Sequence, residues 1–323
     1  MDLMRSPRLA GIDQRVAFVQ PGRARGFEDP EVLGRRAGRR VPGGSLPAIV
    51  RWRPDIVHGW LLQGNVMGAG LKALLPGAVL VCSERHSHET LGGIRPVLER
   101  AVARAEDVVT GNSAAVRDAV VARVPRRAEH FRIIVPGVAA PALTSAPRPA
   151  TAVMVGRAHA VKDHETALRT WRRVVDAHPP ATLTIVGGGP GIPALQRRAR
   201  ELGLERAVRF RGDADPAPDL AGASIFLSTS RAEGFSRSVI EALAAGLPVV
   251  STDVGGMAEV RGEAVRVAAV GDDAALAAHV LDWLEAPQAL AAASRAALVV
   301  ALRFDPDGCH DAYARLYAEV LGA

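Results

Sequence analysis

The chain has few of the residues that stabilise small secreted proteins or bind structural metals. Only two of its 323 residues are cysteine, Cys82 and Cys309, and no Cys/His cluster has the spacing of zinc ligands. Two isolated thiols are typical of a reducing cytoplasm. Because a chain of this length buries about three quarters of its unfolded surface, it needs neither a disulfide nor a metal for stability.

Long apolar runs are missing too. The start of the chain has no apolar core of signal-peptide length. The most apolar stretch, residues 61–81, is interrupted by Gln63, Asn65, Lys72 and Pro76, which makes it too polar for a transmembrane helix. We therefore expect a cytoplasmic protein.

Lysine is nearly absent, although the chain is basic. Lys72 and Lys162 are the only lysines among 40 basic residues, so most arginines are explained by the codon bias of a GC-rich genome. Residues 1–150 carry 22 basic and 13 acidic residues, whereas residues 151–323 carry 18 and 21. The excess of basic residues in the first half is also compatible with an anionic partner, such as a membrane surface. With 4% aromatic residues and no binding motif, nucleic acid is not an expected partner.

Short apolar runs alternate with amphipathic segments, a pattern that predicts βαβ units and parallel sheets. The runs predicted as strands are residues 16–19, 55–58, 78–82, 107–110, 131–135, 152–155, 183–186, 208–210, 224–227, 248–251 and 264–267. Helices are predicted within residues 116–124, 165–176 and 194–202.

A segment rich in Pro, Ala and Ser, residues 139–150, has no periodic pattern and predicts a linker between two domains. The last residues predict a helix that Asp305 or Asp307 caps. The predicted organisation is a first domain at 1–140, a linker at 141–150, a second domain at 151–303 and a C-terminal helix at 304–323.

The richest motif is SIFLSTSRAEGFSRSVIEALAAGLPVVSTDVGG, residues 224–256. It predicts a strand, a loop, a helix beginning at Ser236 or Ser238, a second strand and a Gly-Gly turn. The first turn of such a helix is an anion site at the carboxyl end of a strand. A carboxylate beside it, Glu233 or Glu241, can accept hydrogen bonds from sugar hydroxyl groups. Alternatively, Glu241 forms a capping box with Ser238, and Glu233 is a solvated loop residue.

A second motif, AVMVGRAHAVKDHETALRT, places Gly156 and Arg157 at a strand end and Lys162 at the start of a helix that Asp163 can cap. Glycine, arginine and lysine near a helix N-terminus are typical of a phosphate site. The alternative is two surface cations. A lysine in an arginine-biased chain favours the first interpretation, because an ammonium is then selected over a guanidinium.

The glycine-rich segment LTIVGGGPGIPAL resembles a dinucleotide fingerprint, but GxGxxG would require glycine at Ile192. We predict a tight strand-to-helix loop instead. In the first half, DIVHGWLLQGN and CSERHSH each follow a predicted strand, so their polar side chains could line a cleft between the domains. These side chains are His58, Trp60, Arg85, His86 and His88. A lone histidine at a strand end is more often structural than catalytic, and the His86–His88 pair lacks a third metal ligand.

Together these segments resemble the family 4 retaining glycosyltransferases of the GT-B fold. The resemblance is carried by Gly156-Arg157 with Lys162, by IVGGGP, by VRFRGD and by the E-x7-E signature from Glu233 to Glu241. The first half is similar more loosely, through DIVHGWLLQGN, ERHSH and VVTGNSAAVRD. The resemblance covers most of the chain from about residue 12 onward. It implies an α/β protein with two doubly wound Rossmann-like domains facing a cleft and a C-terminal helix crossing back to the first domain.

The resemblance also implies the roles of particular residues. The implied catalytic group is Glu233, Arg157, Lys162, Arg85 and His86. The implied donor-binding group is Gly156, Arg157, Lys162, Gly187, Gly212, Glu233, Gly234, Phe235, Ser236 and Glu241. The implied acceptor-side group is His58, Trp60 and Asn65. No metal or cofactor is expected, because two cations and a helix dipole can neutralise the leaving diphosphate.

The implied reaction moves a sugar from a nucleoside diphosphate to a glycan or lipid-linked hydroxyl acceptor with retention of configuration. The reaction would serve cell-surface glycan or glycolipid assembly. The protein would be cytoplasmic, with a peripheral contact to the inner face of an anionic membrane. Two departures from the family stand out: the sequence begins near the end of the family's first strand–helix unit, and its Pro-Asn-Gly is reduced to Pro136-Gly137. Two alternatives remain open: a nucleotide-sugar-binding protein with impaired turnover, and a sugar-nucleotide epimerase.

Overall fold

The computed structural model describes residues 7–9, 11–12, 14–17, 38–41, 46–85, 93–139 and 149–322. The chain forms two compact units. The first comprises Met1–Gly137 and Pro306–Ala323, and the second comprises Val138–Asp305. The C-terminal helix therefore belongs to the first unit. Most of the predicted linker lies outside the described residues.

The strands are β1 Gln14–Ala17, β2 Gly38–Val41, β3 Ile56–Trp60, β4 Val79–Glu84, β5 Val108–Gly111, β6 Phe131–Ile133, β7 Thr151–Val155, β8 Thr182–Val186, β9 Val208–Gly212, β10 Ile225–Ser228, β11 Val249–Thr252 and β12 Val265–Ala268. The α-helices are α1 Leu46–Trp52, α2 Leu61–Leu74, α3 Arg95–Ala105, α4 Ala114–Arg123, α5 His164–Ala177, α6 Ile192–Glu201, α7 Ala217–Gly222, α8 Arg237–Ala244, α9 Asp273–Leu284, α10 Pro287–Ala301 and α11 Pro306–Leu321.

The first unit contains a four-stranded parallel sheet in the order β3-β4-β5-β6 and a separate parallel pair, β1-β2. Strand β4 is buried on both faces, as is usual for parallel sheets. Its alternate residues point to opposite sides. Leu80 and Cys82 pack with Val102 of α3, whereas Val81 packs with Tyr313 and Leu316 of α11. The C-terminal helix thus completes the core of the first unit.

The second unit is built on a six-stranded parallel sheet in the order β12-β11-β10-β7-β8-β9. Its largest core cluster includes Leu183 and Ile185 of β8, Trp171 of α5 and Trp283 of α9. The chain starts at β7 and adds β8 and β9 on one side, then β10 to β12 on the other. The strand order therefore reverses between β7 and β10, where open α/β sheets bind ligands at the carboxyl ends of their strands.

The α/β class and the parallel sheets confirm the sequence prediction, and each predicted strand overlaps an observed one. Strand β2 was not predicted, because Gly38-Arg39-Arg40-Val41 has neither an apolar run nor alternation. In the described part of the chain, no helix is long and apolar enough to cross a membrane.

Candidate functional site

The loops that follow β7 and β10 are joined at the reversal point of the second sheet. The backbone N–H of Arg231 donates to the carbonyl oxygen of Val161 at 2.8 Å. The Thr229 hydroxyl donates to the carbonyl oxygens of Lys162 at 3.1 Å and Asp163 at 2.9 Å. These bonds bring the two charged motifs of the sequence into one place.

Lys162 and Glu233 form an ion pair at this junction. Lys162 Nζ lies 2.5 Å from Glu233 Oε1, and the same oxygen accepts a hydrogen bond from the Ser230 hydroxyl at 2.8 Å. The side chains remain 25% and 16% exposed. Because the pair is neither sealed from solvent nor fully solvated, a ligand can reach both charges.

The turn that carries Lys162 is fixed by Asp163. Asp163 has a left-handed backbone, with φ of 44°, which is costly for a residue with a Cβ. Its buried carboxylate caps α5 by accepting from Thr166 N–H at 3.3 Å and the Thr166 hydroxyl at 2.9 Å. It also lies 2.9 Å from Arg231 Nη2. The predicted cap is confirmed, and these contacts hold Lys162 at the end of a short 3₁₀ segment, Ala160–Lys162.

The glycine-rich loop after β8 supports the loop after β7 from the side. Gly187 has φ of +142°, and a Cβ there would lie 2.1 Å from the carbonyl oxygen of Gly156. The Ala158 N–H donates to the Gly188 carbonyl oxygen at 2.9 Å. The glycines therefore permit backbone-to-backbone packing between loops, as the failed dinucleotide fingerprint suggested. Arg157, between these contacts, is exposed and forms no ion pair with another residue that the structure describes.

Gly212, which was predicted, and His164, which the sequence did not single out, contact the same loops. Gly212 ends β9 with φ of +66°, and its carbonyl oxygen accepts from Gly187 N–H at 2.8 Å. His164 Nε2 donates to the Gly156 carbonyl oxygen at 3.3 Å. Burial, together with the charge of Lys162, lowers the pKa of His164, which favours the neutral ring.

The Gly-Gly turn after β11 holds the segment that contains Glu233. A Cβ on Gly255, which has φ of +57°, would lie 2.1 Å from the Glu233 carbonyl oxygen. A Cβ on Gly256 would lie 2.3 Å from the Phe235 ring, and Gly256 N–H donates to the Gly234 carbonyl oxygen at 3.0 Å. Only glycine fits at either position without moving the Glu233 loop.

Helix α8 begins at Arg237, with Ser236 at its N-cap, between the two predicted starts, Ser236 and Ser238. The Ser236 side chain does not cap the helix. Glu241 accepts from Arg237 Nε at 2.8 Å, one turn earlier. The alternative interpretation of Glu241, a capping box with Ser238, is wrong, because Ser238 lies inside the helix. The carboxylate is instead held on the side of α8 and the first-turn N–H groups have no side-chain cap.

No cluster of three or more metal-ligating side chains occurs among the residues that the structure describes. The candidate site consists of two cations, two carboxylates near the start of α8, and the glycine loops that hold them. The cations are Arg157 and Lys162, and the carboxylates are Glu233 and Glu241. Such a set can bind a diphosphate through its cations and helix N–H groups, and a polyol through its carboxylates.

Comparisons with known proteins identify the family of this chain. A family model described as "Glycosyl transferases group 1" matches residues 149–286, which include the whole site. A glycogen synthase of Mycobacterium tuberculosis is 31% identical over 280 residues, covering 81% of this chain and 67% of the relative. The chain is a group 1 glycosyltransferase family member. A D-inositol 3-phosphate glycosyltransferase of Streptomyces scabiei is 29% identical over 301 residues, covering 85% of the chain and 65% of the relative.

Solved structures of two other proteins have a similar fold. The Anabaena protein HepE, solved in complex with UDP-glucose, has a TM-score of 0.77 at 21% identity, covering 88% of this chain and 86% of its own. Sucrose-phosphate synthase from Thermosynechococcus elongatus has a TM-score of 0.74 at 20% identity, with 85% and 76% covered. The fold of this glycosyltransferase family member is thus GT-B, as the sequence predicted. The chain spans about two thirds of the length of the two curated relatives described above.

The residues predicted on the acceptor side lie in the first unit of this family member. His58 Nδ1 lies 2.7 Å from the Tyr317 hydroxyl of α11, and His58 Nε2 lies 2.8 Å from the Ser83 hydroxyl. Burial and the nearby Arg85 charge lower the pKa of His58 to about 3. Both ring nitrogens are therefore committed to hydrogen bonds within the unit, which fits a structural histidine.

Trp60 and Arg85 are stacked beside His58. The Trp60 and His58 rings are 4.4 Å apart between centroids, and Arg85 Cζ lies 4.7 Å from the centroid of the Trp60 ring. Arg85 Nη2 also donates to the Tyr313 hydroxyl at 3.4 Å. The predicted residues His86 and His88 lie outside the described residues.

Asn65 belongs to a buried polar cluster that the sequence did not indicate. Its Nδ2 donates to Glu84 Oε1 at 3.1 Å. Arg127 is bidentate to Glu106, at 2.7 and 2.8 Å, and donates to Glu84 Oε1 at 3.2 Å. Desolvation raises the pKa of Glu84. No local sequence pattern indicates this cluster, because its hydrogen-bonded pairs are 19 to 43 residues apart along the chain.

Proposed function

We propose that this chain is a family 4 retaining hexosyltransferase that takes a sugar from a nucleoside diphosphate and transfers it to a hydroxyl acceptor. The observation that carries the proposal is the Lys162–Glu233 pair at the reversal point of the second sheet. A cation and a carboxylate that share one partly exposed position suit a ligand with a diphosphate and a polyol next to each other.

The diphosphate is assigned to Arg157, Lys162 and the first turn of α8. Arg157 is exposed, and Lys162 sits at the end of a rigid turn. When the diphosphate binds, Lys162 can exchange part of its contact with Glu233 for a phosphate oxygen, since an ammonium has three donors. Two cations and uncapped helix N–H groups would neutralise the leaving group without a metal.

The sugar and the ribose are assigned to the two glutamates. Glu233, with the backbone N–H groups of Gly234 and Phe235 and the Ser236 hydroxyl, would contact the donor sugar, and Glu241 would accept from the ribose hydroxyls. The base would lie near Gly187 and Gly212 at the ends of β8 and β9. HepE was solved with UDP and with UDP-glucose, and the pneumococcal O-GlcNAc transferase GtfA with UDP and GlcNAc, so uridine is the first base to test.

In the proposed reaction, the bond from the anomeric carbon to the diphosphate oxygen breaks and a bond to the acceptor oxygen forms on the same face. The acceptor proton passes to the departing phosphate oxygen, so configuration is retained. Arg85 and His86 are assigned to the acceptor side near the reacting carbon, with Trp60 supporting Arg85 and with His58 and Asn65 holding the frame behind them. We propose a glycan or lipid-linked acceptor, as in cell-surface glycan assembly, and a cytoplasmic site of action.

The first experiment is thermal unfolding against UDP, ADP, GDP and their glucose conjugates. Ligand at 100 times its Kd adds about 2.7 kcal/mol to the stability of the folded state. Lys162→Ala should lose the response. Lys72→Ala is the matched control, because Lys72 is the only other lysine and its ion pair with Asp107, also 2.5 Å, lies in the first unit.

A shift with one base that Lys162→Ala loses and Lys72→Ala keeps would support the donor site and name the nucleotide. No shift with any ligand, or equal loss in both variants, would contradict it. Product anomers from the matched donor would then be assigned by NMR, and an inverted anomer would overturn the retaining mechanism. Donor binding without transfer to any acceptor would favour the alternative, a nucleotide-sugar-binding protein.

A further inference from the structure

Arg85 differs from the other arginines that are at least partly buried. Among the described residues, seven arginines are not exposed. Six of them bind an aspartate or a glutamate at 2.6 to 3.2 Å: Arg123, Arg127, Arg169, Arg172, Arg198 and Arg266. Arg85, the seventh, forms no ion pair with a residue that the structure describes. Because taking a charge out of water without a partner is costly, its position calls for a counter-ion from outside the described chain.

Arg266 of the second unit is a close match for Arg85 except in this respect. Both guanidinium groups lie over a tryptophan ring: Arg85 Cζ is 4.7 Å from the centroid of Trp60, and Arg266 Cζ is 4.6 Å from that of Trp283. Arg266 Nη1 also binds Asp282 at 2.9 Å. Among the described groups, the N–H donors at the edge of the guanidinium therefore meet a carboxylate at Arg266 but not at Arg85.

The side chains around Arg85 are neutral. Arg85 Nη2 donates to the Tyr313 hydroxyl at 3.4 Å, and its charge also acts on His58 and Cys309. Burial lowers the pKa of His58 to about 3 and raises the pKa of Cys309 and of Tyr313. All three are thus uncharged at neutral pH, and they leave the positive charge uncompensated.

Asn112 lies next to Arg85 at the same edge of the sheet. Ser83 and Thr110 are paired between β4 and β5, and their hydroxyl oxygens are 2.6 Å apart. Arg85 and Asn112 each follow two residues later, so the alternation of a strand places them on the same side as that pair and Glu84 on the other side. Asn112 is 5% exposed, and its Oδ1 has no hydrogen-bond partner among the described groups. A buried carbonyl oxygen needs a donor, which a ligand hydroxyl can supply beside the cation.

A guanidinium whose edge has no carboxylate fits an oxyanion, because its planar N–H groups match two oxygens at once. We propose that Arg85 binds a phosphate or carboxylate group of the acceptor, and that Asn112 accepts a hydrogen bond from a hydroxyl group of the same molecule. This assignment rests on the proposed function, which places the acceptor on the first unit. It adds the chemical class of the acceptor, a hydroxyl compound that carries an oxyanion.

The experiment is titration of the full chain with matched neutral and anionic probes, followed by ligand-observed NMR. The probes are glucose, mannose and galactose, the 6-phosphate of each, and the uronic acid of each. For at least one sugar, an anionic form should bind about tenfold more tightly than the neutral form, because hydrogen bonds to a charged group are the strong ones. Arg85→Gln should remove this preference. Arg85→Lys should restore part of it, since an ammonium keeps the charge without the planar fork.

Two further variants make the test independent of folding. Asn112→Asp should also remove the preference, because it supplies a carboxylate beside Arg85 without removing the arginine. Arg266→Gln, which removes the matched arginine of the second unit, should leave the preference unchanged. Lys162→Ala should leave it unchanged as well, since a phosphate that bound at the donor site would be lost in that variant instead.

Four results would overturn the proposal. They are equal binding of neutral and anionic probes by the parent chain, a preference that survives in Arg85→Gln or in Asn112→Asp, equal loss in Arg266→Gln, and loss in Lys162→Ala alone. The nucleotide-induced thermal shift tests the donor site separately, and Arg85→Gln should keep it. Failure of the proposed donor site would remove that shift and leave the preference among the probes intact.

Discussion

The two units each contain a cluster in which carboxylates meet a cation, but the clusters differ in their access to solvent. In the first unit, Arg127, Glu106 and Glu84 have side chains that are 1%, 0% and 9% exposed. In the second unit, the Lys162–Glu233 pair remains open to solvent. The arginine binds Glu106 with two parallel bonds, whereas the lysine makes a single point contact.

This difference separates a cluster that stabilises the fold from one that is available to a ligand. Breaking a buried pair leaves a charge without water or partner, which is strongly destabilising. A pair that keeps some contact with solvent can be rehydrated when one partner leaves, so its loss costs less stability than the loss of a fully buried pair. A ligand can therefore replace a partner in the second cluster but not in the first.

The largest effect is expected from Arg127→Met, which leaves Glu106 and Glu84 buried without their cation. The free energy of unfolding of the first unit should fall by about 3–5 kcal/mol. Hydrogen exchange of the β4 amides in increasing urea would measure it for this unit alone. Arg117→Met is the control, because the Arg117–Asp118 pair is exposed and should be worth less than about 1 kcal/mol. Equal losses in the two variants would refute the contrast between buried and open pairs.

Next in size is Gly255→Ala, which places a Cβ against the Glu233 carbonyl oxygen and forces a left-handed backbone on alanine. The backbone alone costs about 1–2 kcal/mol, and the displaced loop should weaken donor binding by more than tenfold. Gly271→Ala is the matched control, since Gly271 also has a positive φ, +83°, but has no atom within 4 Å of its added Cβ. Isothermal titration with the donor should show a loss in the first variant only.

A pH series tests the polar interior of the first unit. His58 has a folded pKa of about 3 against an ordinary value of 6.5, so below pH 6.5 the unfolded chain takes up a proton that the folded chain does not. The contribution of His58 to stability is therefore complete above pH 6.5 and falls by about 1.4 kcal/mol per pH unit as pH decreases toward 3. His58→Gln, which has no such titration, should flatten the profile between pH 6.5 and 5. An unchanged slope would show that His58 does not set it.

The smallest effects are expected in the second unit. Glu233→Gln should change the free energy of unfolding by less than about 1 kcal/mol, while discrimination between the nucleotide and its sugar conjugate falls about tenfold. Glu241→Ala should instead weaken binding of the nucleotide and the conjugate by the same factor. Titration of both ligands against both variants measures this. If both variants bind like the parent chain, the assignment of the two glutamates is wrong.

Local signals explain what the sequence predicted. Apolar runs predicted the strands of the two larger sheets. Asp163 predicted the start of α5, because an N-cap depends only on residues three positions apart. Lys162 and Glu233 were each singled out by their motifs. Their direct contact was not predicted, since the two residues are 71 positions apart and only the strand order brings them together.

The Arg127 cluster shows the limit of such signals. Glu84 was noted only as part of CSERHSH, and Arg127 falls after α4 with no feature to distinguish it from 37 other arginines. Hydrophobic patterning assumes that buried positions are apolar, so a buried ion cluster contradicts the pattern that would locate it. The same patterning gave no weight to Ile94 and Val97, which are apolar but exposed.

The scarcity of lysine gives this protein a built-in chemical reporter. Its two lysines have nearly equal exposure, 22% for Lys72 and 25% for Lys162, and each is bound to one carboxylate. An amine-selective acylating reagent would therefore have two comparable side-chain targets, one in the proposed donor site and one remote from it. The ratio of the two modified peptides in a mass spectrum would report occupancy of the site in unlabelled, unmutated protein, with the remote lysine as internal standard.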